Sequence, residues 1–481
     1  MNFLHLHSLF WNTEMEKNPP VNSKIALIVI CIVQFITPFL AAGVNVALPA
    51  IGKYYQATTF QLSLASMMYL LGLGCLLLPS GQLADLYGRK NIFFKGIVLF
   101  LITTAVITFS PNIEIFLALR LLQGMGTALI TTASFAILSS IVPPERRGRA
   151  MGIIIAFVYA GLSAGPALSG LLVKYMSWQA IFWFSSVASL LGMVLSYYSL
   201  RGSEWWGERN RTLDITGSAL FALTLTCLTI SVTGREWVGN WSSALLLLTC
   251  AGAVIFVLFE TKTNSPVFPV TFFLQNGPFS LSIVAALLNY AASFGIIFFF
   301  SLYLQSIKGL SPEHAGLLLM IQTLVQCLLS PGAGKLADRI YPGKLATLGM
   351  GLCAISLFMA GQIDAHSSIS LIVSIFLVMG LGFALFSTPN TTLIMNSVPK
   401  ELYGMASSLT AIARSLGMLT SMGISTYLIE HFMGHTSITT ETQQAFMSSM
   451  HWGMIVFATI SCIGIFCSIG RIHKKDESRC S

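Results

Sequence analysis

Apolar runs of the length that crosses a lipid bilayer recur from one end of this sequence to the other. A helix needs about 20 such residues to span a hydrocarbon core of roughly 30 Å, and lipid offers an open backbone no hydrogen-bond partner. Runs of this kind fall near residues 24–48, 59–82, 92–109, 113–140, 150–173, 178–200, 215–233, 243–260, 279–305, 313–333, 345–362, 369–390, 404–428 and 451–470. Composition leaves no soluble alternative. Of 481 residues, 9% are charged and 55% hydrophobic, against about 25% charged in a water-soluble chain. The sequence predicts an all-α integral membrane protein with 14 transmembrane helices. It excludes a disordered chain and a soluble nucleic-acid binder.

An even number of spans puts both ends on one side. Placing that side inside assigns about 20 of the 26 Lys and Arg to inner segments, among them Arg89-Lys90, Arg146-Arg147, Arg209 to Arg211, Lys335 to Lys344 and Arg471 to Arg479. Lys53, Lys174, Arg235 and Lys308 fall outside. That bias obeys the positive-inside rule, so the net charge of +8 faces an anionic lipid leaflet. Arg120 and Arg414 belong to no loop. Each lies about ten residues into a span, and no Asp or Glu lies as deep.

Of nine Cys, all but Cys480 lie in apolar runs without metal-ligand spacing. They read as packing residues, with no disulfide, metal or cofactor expected. MNFLHLHSLF lacks the basic n-region of a cleaved signal, and the polar stretch 12–23, with Pro19-Pro20, is expected to be a cytoplasmic tail.

Two loops recur. Gly81-Gln-Leu-Ala-Asp85-Leu-Tyr-Gly88-Arg89-Lys90 is echoed by Gly334-Lys-Leu-Ala-Asp338-Arg339 through Lys344, at an offset of 253, and Val142-Pro-Pro-Glu145 by Val398-Pro-Lys-Glu401, at 256. Two pairs at nearly one offset mark an internal repeat, and parallel six-helix repeats build a site between two halves. The expected organisation is a cytoplasmic tail (1–23), a six-helix bundle (24–200), a linker with an inserted helix pair (201–262), a second six-helix bundle (263–470) and a cytoplasmic tail (471–481).

The loop GQLADLYGRK resembles the signature loop of the major facilitator superfamily. The likeness extends through Arg120-Leu-Leu-Gln123-Gly124 in the fourth span and Gly161-Leu-Ser-Ala-Gly165-Pro166-Ala-Leu-Ser169-Gly170 in the fifth. It continues in Leu302-Tyr-Leu-Gln305, Ser387-Thr388-Pro389-Asn390 and Asp214-Ile-Thr-Gly217. This set covers nearly the whole chain and is similar to the fourteen-helix drug:proton antiporter branch, the multidrug efflux transporters. The resemblance implies a major facilitator fold and a secondary transporter at the cell membrane. It implies no catalysis, a small-molecule substrate, protons as coupling ion and a monomer in the lipid bilayer.

Each motif also has a plain physical reading. Gly81 and Gly88 allow a tight turn, and Arg89 and Lys90 meet anionic headgroups. Asp85 can pair with a nearby Arg or sit at a helix N-terminus, where the macrodipole favours negative charge. The resemblance implies that Gly81, Asp85, Gly88, Arg89 and Lys90, with Asp338 and Arg339 of the second copy, form a conformational latch; a capped turn is the alternative. A buried Arg costs about 2.5–3.5 kcal/mol on insertion scales. Gln123, Thr127 and Thr131 follow Arg120 at helical spacing, so its span is expected to border a cavity. The resemblance implies proton transfer by Arg120, with Asp85; an Arg bonded to carbonyls of the first span is the alternative. Gly161, Gly165 and Ser169 form a ridge for close helix packing, and Pro166 removes a helix hydrogen bond. Gly161, Gly165, Pro166 and Gly170 resemble the antiporter motif, with Ser169 where Gly is usual. Arg414 either snorkels or takes part in function.

The first span departs from the branch: Leu40 and Ala42 stand where it commonly carries Asp and Thr. Protons are then handled at the inner edge by Asp85 or Asp338, or substrates are neutral or anionic, or coupling is weak. By the resemblance, the cavity is lined by the first and fourth span of each half. These offer Gln34, Thr37, Asn45 and Gln123, then Asn289, Tyr290 and Phe294, then Phe383, Phe386 and Asn390. An aromatic pocket with few polar groups suits lipophilic compounds. No GxxxxGK[ST] loop is present for a primary pump, and the eight His lie in tails, loops or at a span edge. The expected function is export of drugs or lipophilic small molecules in exchange for protons. The alternative is a carrier for one metabolite or organic anion, with weak or no coupling.

Overall fold

The computed structural model describes residues 23–142, 144–201, 204–206, 213–233, 241–263, 266–399 and 402–480. Residues 1–22 of the tail expected at 1–23 and the basic run Arg209 to Arg211 lie outside them, as do the side chains of Glu145 to Arg149 and of Arg471 to Cys480.

Every apolar run becomes a helix. The first six are α1 (Ser23–Tyr55), α2 (Thr59–Tyr87), α3 (Arg89–Ile107), α4 (Ile113–Ile141), α5 (Pro144–Tyr175) and α6 (Gln179–Ser199). The inserted pair is α7 (Ile215–Thr233) and α8 (Trp241–Glu260). A short α9 (Val270–Gln275) leads into a broken crossing made of α10 (Gly277–Ser293), α11 (Gly295–Leu302) and a π turn (Tyr303–Ile307). Then come α12 (Pro312–Arg339), α13 (Pro342–Gly361), α14 (Ile369–Asn396), α15 (Tyr403–Met433) and α16 (Gln443–Cys480). Among the described residues, eleven helices are long and apolar enough to cross a membrane, and α7 and α8 supply two shorter apolar ones. The Arg414-bearing α15 completes the fourteen crossings expected.

Several helices outrun their apolar cores. The run ending near 82 continues as α2 to Tyr87, carrying Asp85 on its last turns. Helix starts follow local chemistry. Thr58 caps α2, its hydroxyl accepting from Gln61 N (3.2 Å) while the Gln61 amide oxygen accepts from Thr58 N (3.0 Å), a reciprocal box that satisfies two free backbone donors. Asn112, Ser311 and Ser368 cap α4, α12 and α14 with side-chain acceptors. The break after Ser293 leaves Gly295 N without a helical acceptor, and Ser421 Oγ of α15 takes its hydrogen at 2.8 Å. Non-helical backbone survives at this depth because protein surrounds it.

Packing repeats the sequence repeat. In the first half α1 lies on α5, and α2 and α3 on α4; in the second α10 lies on α15, and α12 and α13 on α14. A Cβ on Gly81 would touch Thr132 at 3.6 Å, and one on Gly334 would touch Thr388 at 3.4 Å. Those two contacts are offset by 253 (334 − 81) and 256 (388 − 132), the spacing of the loops themselves. The halves meet along two seams, α5 on α12 and α2 on α15, while α7 and α8 pack on each other and α7 packs against α2 and α15.

Candidate functional site

Helix direction gives the molecule a termini end, holding Ser23 and the close of α16, and a far end. At the far end the halves are joined. Thr59 N donates to Thr436 O (3.1 Å) and Ser437 Oγ to Ala57 O (3.4 Å). Ser301 Oγ donates to Asn45 O (2.5 Å) and Gln305 Nε2 to Val46 O (2.9 Å). Lys174 of α5 pairs with Glu313 of α12, and the Phe60 and His435 rings meet at 4.8 Å. Apart from the ring contact, these are polar links between separately packed bundles. Two hollows also open at this end. One, of about 440 Å³, lies among Tyr54, Gln61 and Glu114, and the other, of about 480 Å³, among Asp364, Gln443 and Trp452. Each is lined by one half alone and lies off the seam.

The fifth-span motif builds the α5 seam. Gly161 and Gly165 lie against the Phe35 and Phe39 carbonyls of α1, where a Cβ would collide with backbone. Gly170 sits on the Pro312 carbonyl of α12, and Gly316 of α12 on the Pro166 carbonyl. One face of the motif therefore fixes α5 within its half while the other meets the opposite half.

Midway along the seam, hydroxyls from both halves converge. Tyr159 Oη of α5 lies 2.6 Å from Ser387 Oγ of α14 and 3.5 Å from Tyr290 Oη of α10. Tyr290 also lies beside Arg414 of α15, where a Cβ on Gly417 one turn on would meet the Tyr290 Cβ at 2.8 Å, and the Tyr290 ring meets Phe383 edge-on at 5.7 Å. Tyr159, Tyr290, Ser387 and Arg414 are all half-buried, as is Phe294. Tyr159 and Ser387 were absent from the expected cavity residues.

Other expected cavity residues face bundle interiors. Asn45 accepts from Ser66 Oγ (2.9 Å), Asn390 Nδ2 donates to Ser282 O (3.1 Å), and Asn289 Nδ2 points to Cys353 Sγ (3.9 Å). Phe386 packs with Ala346 and Met350. Gln34 and Thr37 are buried in α1, with Gln34 Nε2 unpartnered. Of the ten, Tyr290 and Phe383 lie at the inter-half cluster.

Arg120 does not border a cavity. It is 1% exposed and held between α2 and α4. Its Nε donates to Ala65 O of α2 (3.0 Å), its Nη1 to Gln123 Oε1 (2.5 Å), and its guanidinium lies 4.6 Å from the Tyr69 ring centre. Gln123 Nε2 donates to Thr104 Oγ1 of α3 (2.7 Å), and Tyr69 Oη to Thr127 Oγ1 (3.2 Å). The polar stripe after Arg120 is real, but it faces α2 and α3. Gly124, one turn on, lies against the Tyr69 carbonyl, and that close approach shuts out solvent. The carbonyl bonded to Arg120 belongs to α2, not to α1. No carboxylate among the described residues pairs with it.

The signature loop closes the termini end of the first half. Gly88, at φ +93°, makes the α2–α3 turn, and a Cβ there would press the Glu204 carboxyl at 2.6 Å. Glu204 Oε1 accepts from Lys90 N (2.8 Å), and Trp205 O from Arg89 N (2.9 Å). Asp85 Oδ1 accepts from Arg89 Nη2 (2.8 Å) and Nε (3.1 Å). Arg89 Nη1 donates to Ser140 Oγ (2.7 Å) and Ala136 O (3.1 Å) of α4. Asp85 sits near the C-terminal end of α2 and Arg89 at the first residue of α3. Both places oppose the helix dipole, so the pairing rather than a helix N-terminus stabilises them. Behind the loop, Gln82 Oε1 accepts from Asp214 N (2.9 Å), tying the inserted pair to α2. In the second copy Arg339 is exposed, and the Asp338 side chain lies outside the described residues.

Residues 30–421 and 282–479 match the family model described as Major Facilitator Superfamily. The chain is 30% identical over 380 residues to the multidrug resistance protein Stp of Mycobacterium tuberculosis, covering 78% of this chain and 70% of that one. It is 25% identical to the riboflavin transporter RibZ of Clostridioides difficile over 94% of this chain and 98% of that one. It is 30% identical to the tetracenomycin C resistance and export protein of Streptomyces glaucescens, over 78% and 70% of the two chains. Its fold matches a solved bacterial homologue of the human lysosomal transporter Spinster with a TM-score of 0.66, at 14% identity over 93% of this chain and 96% of that one.

Proposed function

Because the chain belongs to the Major Facilitator Superfamily, within its drug:proton antiporter-like branch, we propose that it exports drugs or lipophilic small molecules from the cytoplasm by alternating access. It does so as a monomer in the cell membrane, with both termini cytoplasmic, in exchange for protons. The observation that carries this reading is the far-end seal. Two bundles joined there by a few exchangeable polar links, with hydroxyls and aromatic rings from both halves meeting halfway across, have the geometry of a transporter between two access states. The tetracenomycin C resistance and export protein supports the direction of transport.

Proton exchange runs through the termini end. Asp85 is the acid whose protonation removes the charge that two Arg89 N–H groups bind, and it stands in for the first-span carboxylate missing at Leu40. Arg120 holds α2, α3 and α4 as one rigid block. A second reading, a carrier for a single metabolite, draws on the riboflavin transporter, which matches over nearly its whole length.

The test is proton release from energised inside-out vesicles, followed with a pH-gradient dye, on addition of chemically unrelated lipophilic compounds. Collapse of the gradient with several of them, lost in Asp85→Asn, is the expected result. Response to one compound alone would establish the metabolite carrier, and collapse undiminished in Asp85→Asn would remove Asp85 from coupling.

A further inference from the structure

The two intramembrane arginines have opposite surroundings. Arg120 is sealed in and bonded to a carbonyl, an amide oxygen and a ring face. Arg414 lies about 16 Å along α15 from Tyr403, at 1.5 Å per residue, which is close to mid-bilayer. It is half-buried, the group beside it is the neutral Tyr290 side chain, and no carboxylate among the described residues pairs with it. A cation held at this depth without a counter-ion favours any anion that reaches it and repels any cation, strongly so where water is scarce.

The groups around it match an anionic ligand. Tyr159 from the first half and Tyr290 and Ser387 from the second bring three hydroxyls together, with Tyr290 the one beside Arg414. Hydroxyls can turn their hydrogens toward an acceptor, and a guanidinium binds a carboxylate through two parallel N–H bonds. Phe383, edge-on to Tyr290, supplies an apolar wall for the ligand's body. Both halves contribute, so a bound anion bridges the seam.

We infer that Arg414, with Tyr159, Tyr290 and Ser387, forms a binding site for the acidic group of an amphiphilic organic anion, and that such anions are the preferred cargo. This rests on the transport reading above and names its substrate class. It also gives the missing first-span carboxylate a reason: a pocket whose charge is positive has no use for a residue that holds cations.

The test uses reconstituted full-length protein and three probes on one scaffold: naphthoate, naphthamide and naphthyl-trimethylammonium. Binding is read by quenching of intrinsic tryptophan fluorescence and transport by uptake into inside-out proteoliposomes. Naphthoate is expected to bind at least tenfold more tightly than naphthamide, with the ammonium probe weakest. In Arg414→Gln the acid and amide should come within about twofold, whereas Arg414→Lys should keep part of the preference. Tyr159→Phe, which removes one half-buried hydroxyl, should weaken naphthoate about threefold and leave naphthamide unchanged, giving a readout should Arg414→Gln fail to fold. A wild-type protein that binds amide or ammonium as tightly as acid overturns the inference, as does an acid preference that survives in Arg414→Gln. Transport of naphthamide without acid preference would sink the anion site and leave the transporter reading intact. Acid-selective binding with no transport of any probe would do the reverse.

Discussion

Arg120→Met removes the one fully buried charged side chain of the α2–α3–α4 block while keeping a long apolar side chain. Three interactions go: the bonds to Ala65 O and Gln123 Oε1, and the guanidinium above the Tyr69 ring. Ala65 O sits within α2 and loses little, but Gln123 Oε1 is left buried without a donor, at a cost of about 1–3 kcal/mol. A desolvated cation–π contact adds about 2 kcal/mol. The expected loss is therefore roughly 3–5 kcal/mol, in line with breaking a buried charged network from one side. It stands well above the roughly 0.6 kcal/mol average for a hydrogen bond between membrane helices. Adding Gln123→Leu removes the orphaned oxygen, and Thr104 Oγ1 keeps its bond to Phe100 O, so the double variant should recover about 1–3 kcal/mol. Arg120→Lys should not rescue, because an ammonium lacks the planar fork that reaches both acceptors. Reversible unfolding in bicelles by steric trapping measures all four corners of the cycle. A coupling below about 0.5 kcal/mol, the usual limit for independent sites, would refute the reasoning. So would a parent-like stability in an Arg120→Met protein that no longer transports, which would make Arg120 part of the transport chemistry.

Two further outcomes follow from the termini end. Asp85→Asn loses the ion pair to Arg89 and should change labelling of a single cysteine at Ser387 by a membrane-impermeant maleimide at least about twofold, an order set by loss of about 0.5–1 kcal/mol of charge pairing; unchanged labelling would remove the latch. Gly217→Ala places a Cβ against the buried carboxyls of Asp214 and Glu260 and should cost about 1–3 kcal/mol as an overpacked site. The expected readout is a lower melting temperature with α7 and α8 more readily cleaved by protease, and a parent-like melt would mean that the carboxyls move aside freely.

The crossings were legible because lipid forces each apolar run into a helix, and the repeat because two loops kept their residues at one offset. What the sequence hid were partners. The polar stripe after Arg120 could be read, but whether it faced water or another helix could not, even though Gly124 within the stripe marks a close approach. Tyr159 was readable in principle. Gly161 faces α1, and a residue two positions earlier is rotated about 200° away, toward the other half. Glu204 and Trp205 lie in a linker with no pattern, and only the folded chain brings them onto Gly88. The break at Gly295 carries no proline signal and depends on Ser421, more than a hundred residues away.

The central claim is that the far-end seal opens and closes during transport, and a reversible cross-link tests it most directly. Thr59 N bonds Thr436 O, which brings the two backbones to about 5 Å, within disulfide reach. Thr59→Cys with Thr436→Cys, in a background lacking the native cysteines, should transport when reduced, fall below about a tenth of that rate when oxidised, and recover with reductant. Transport at the reduced rate while the cross-link is intact would contradict the account.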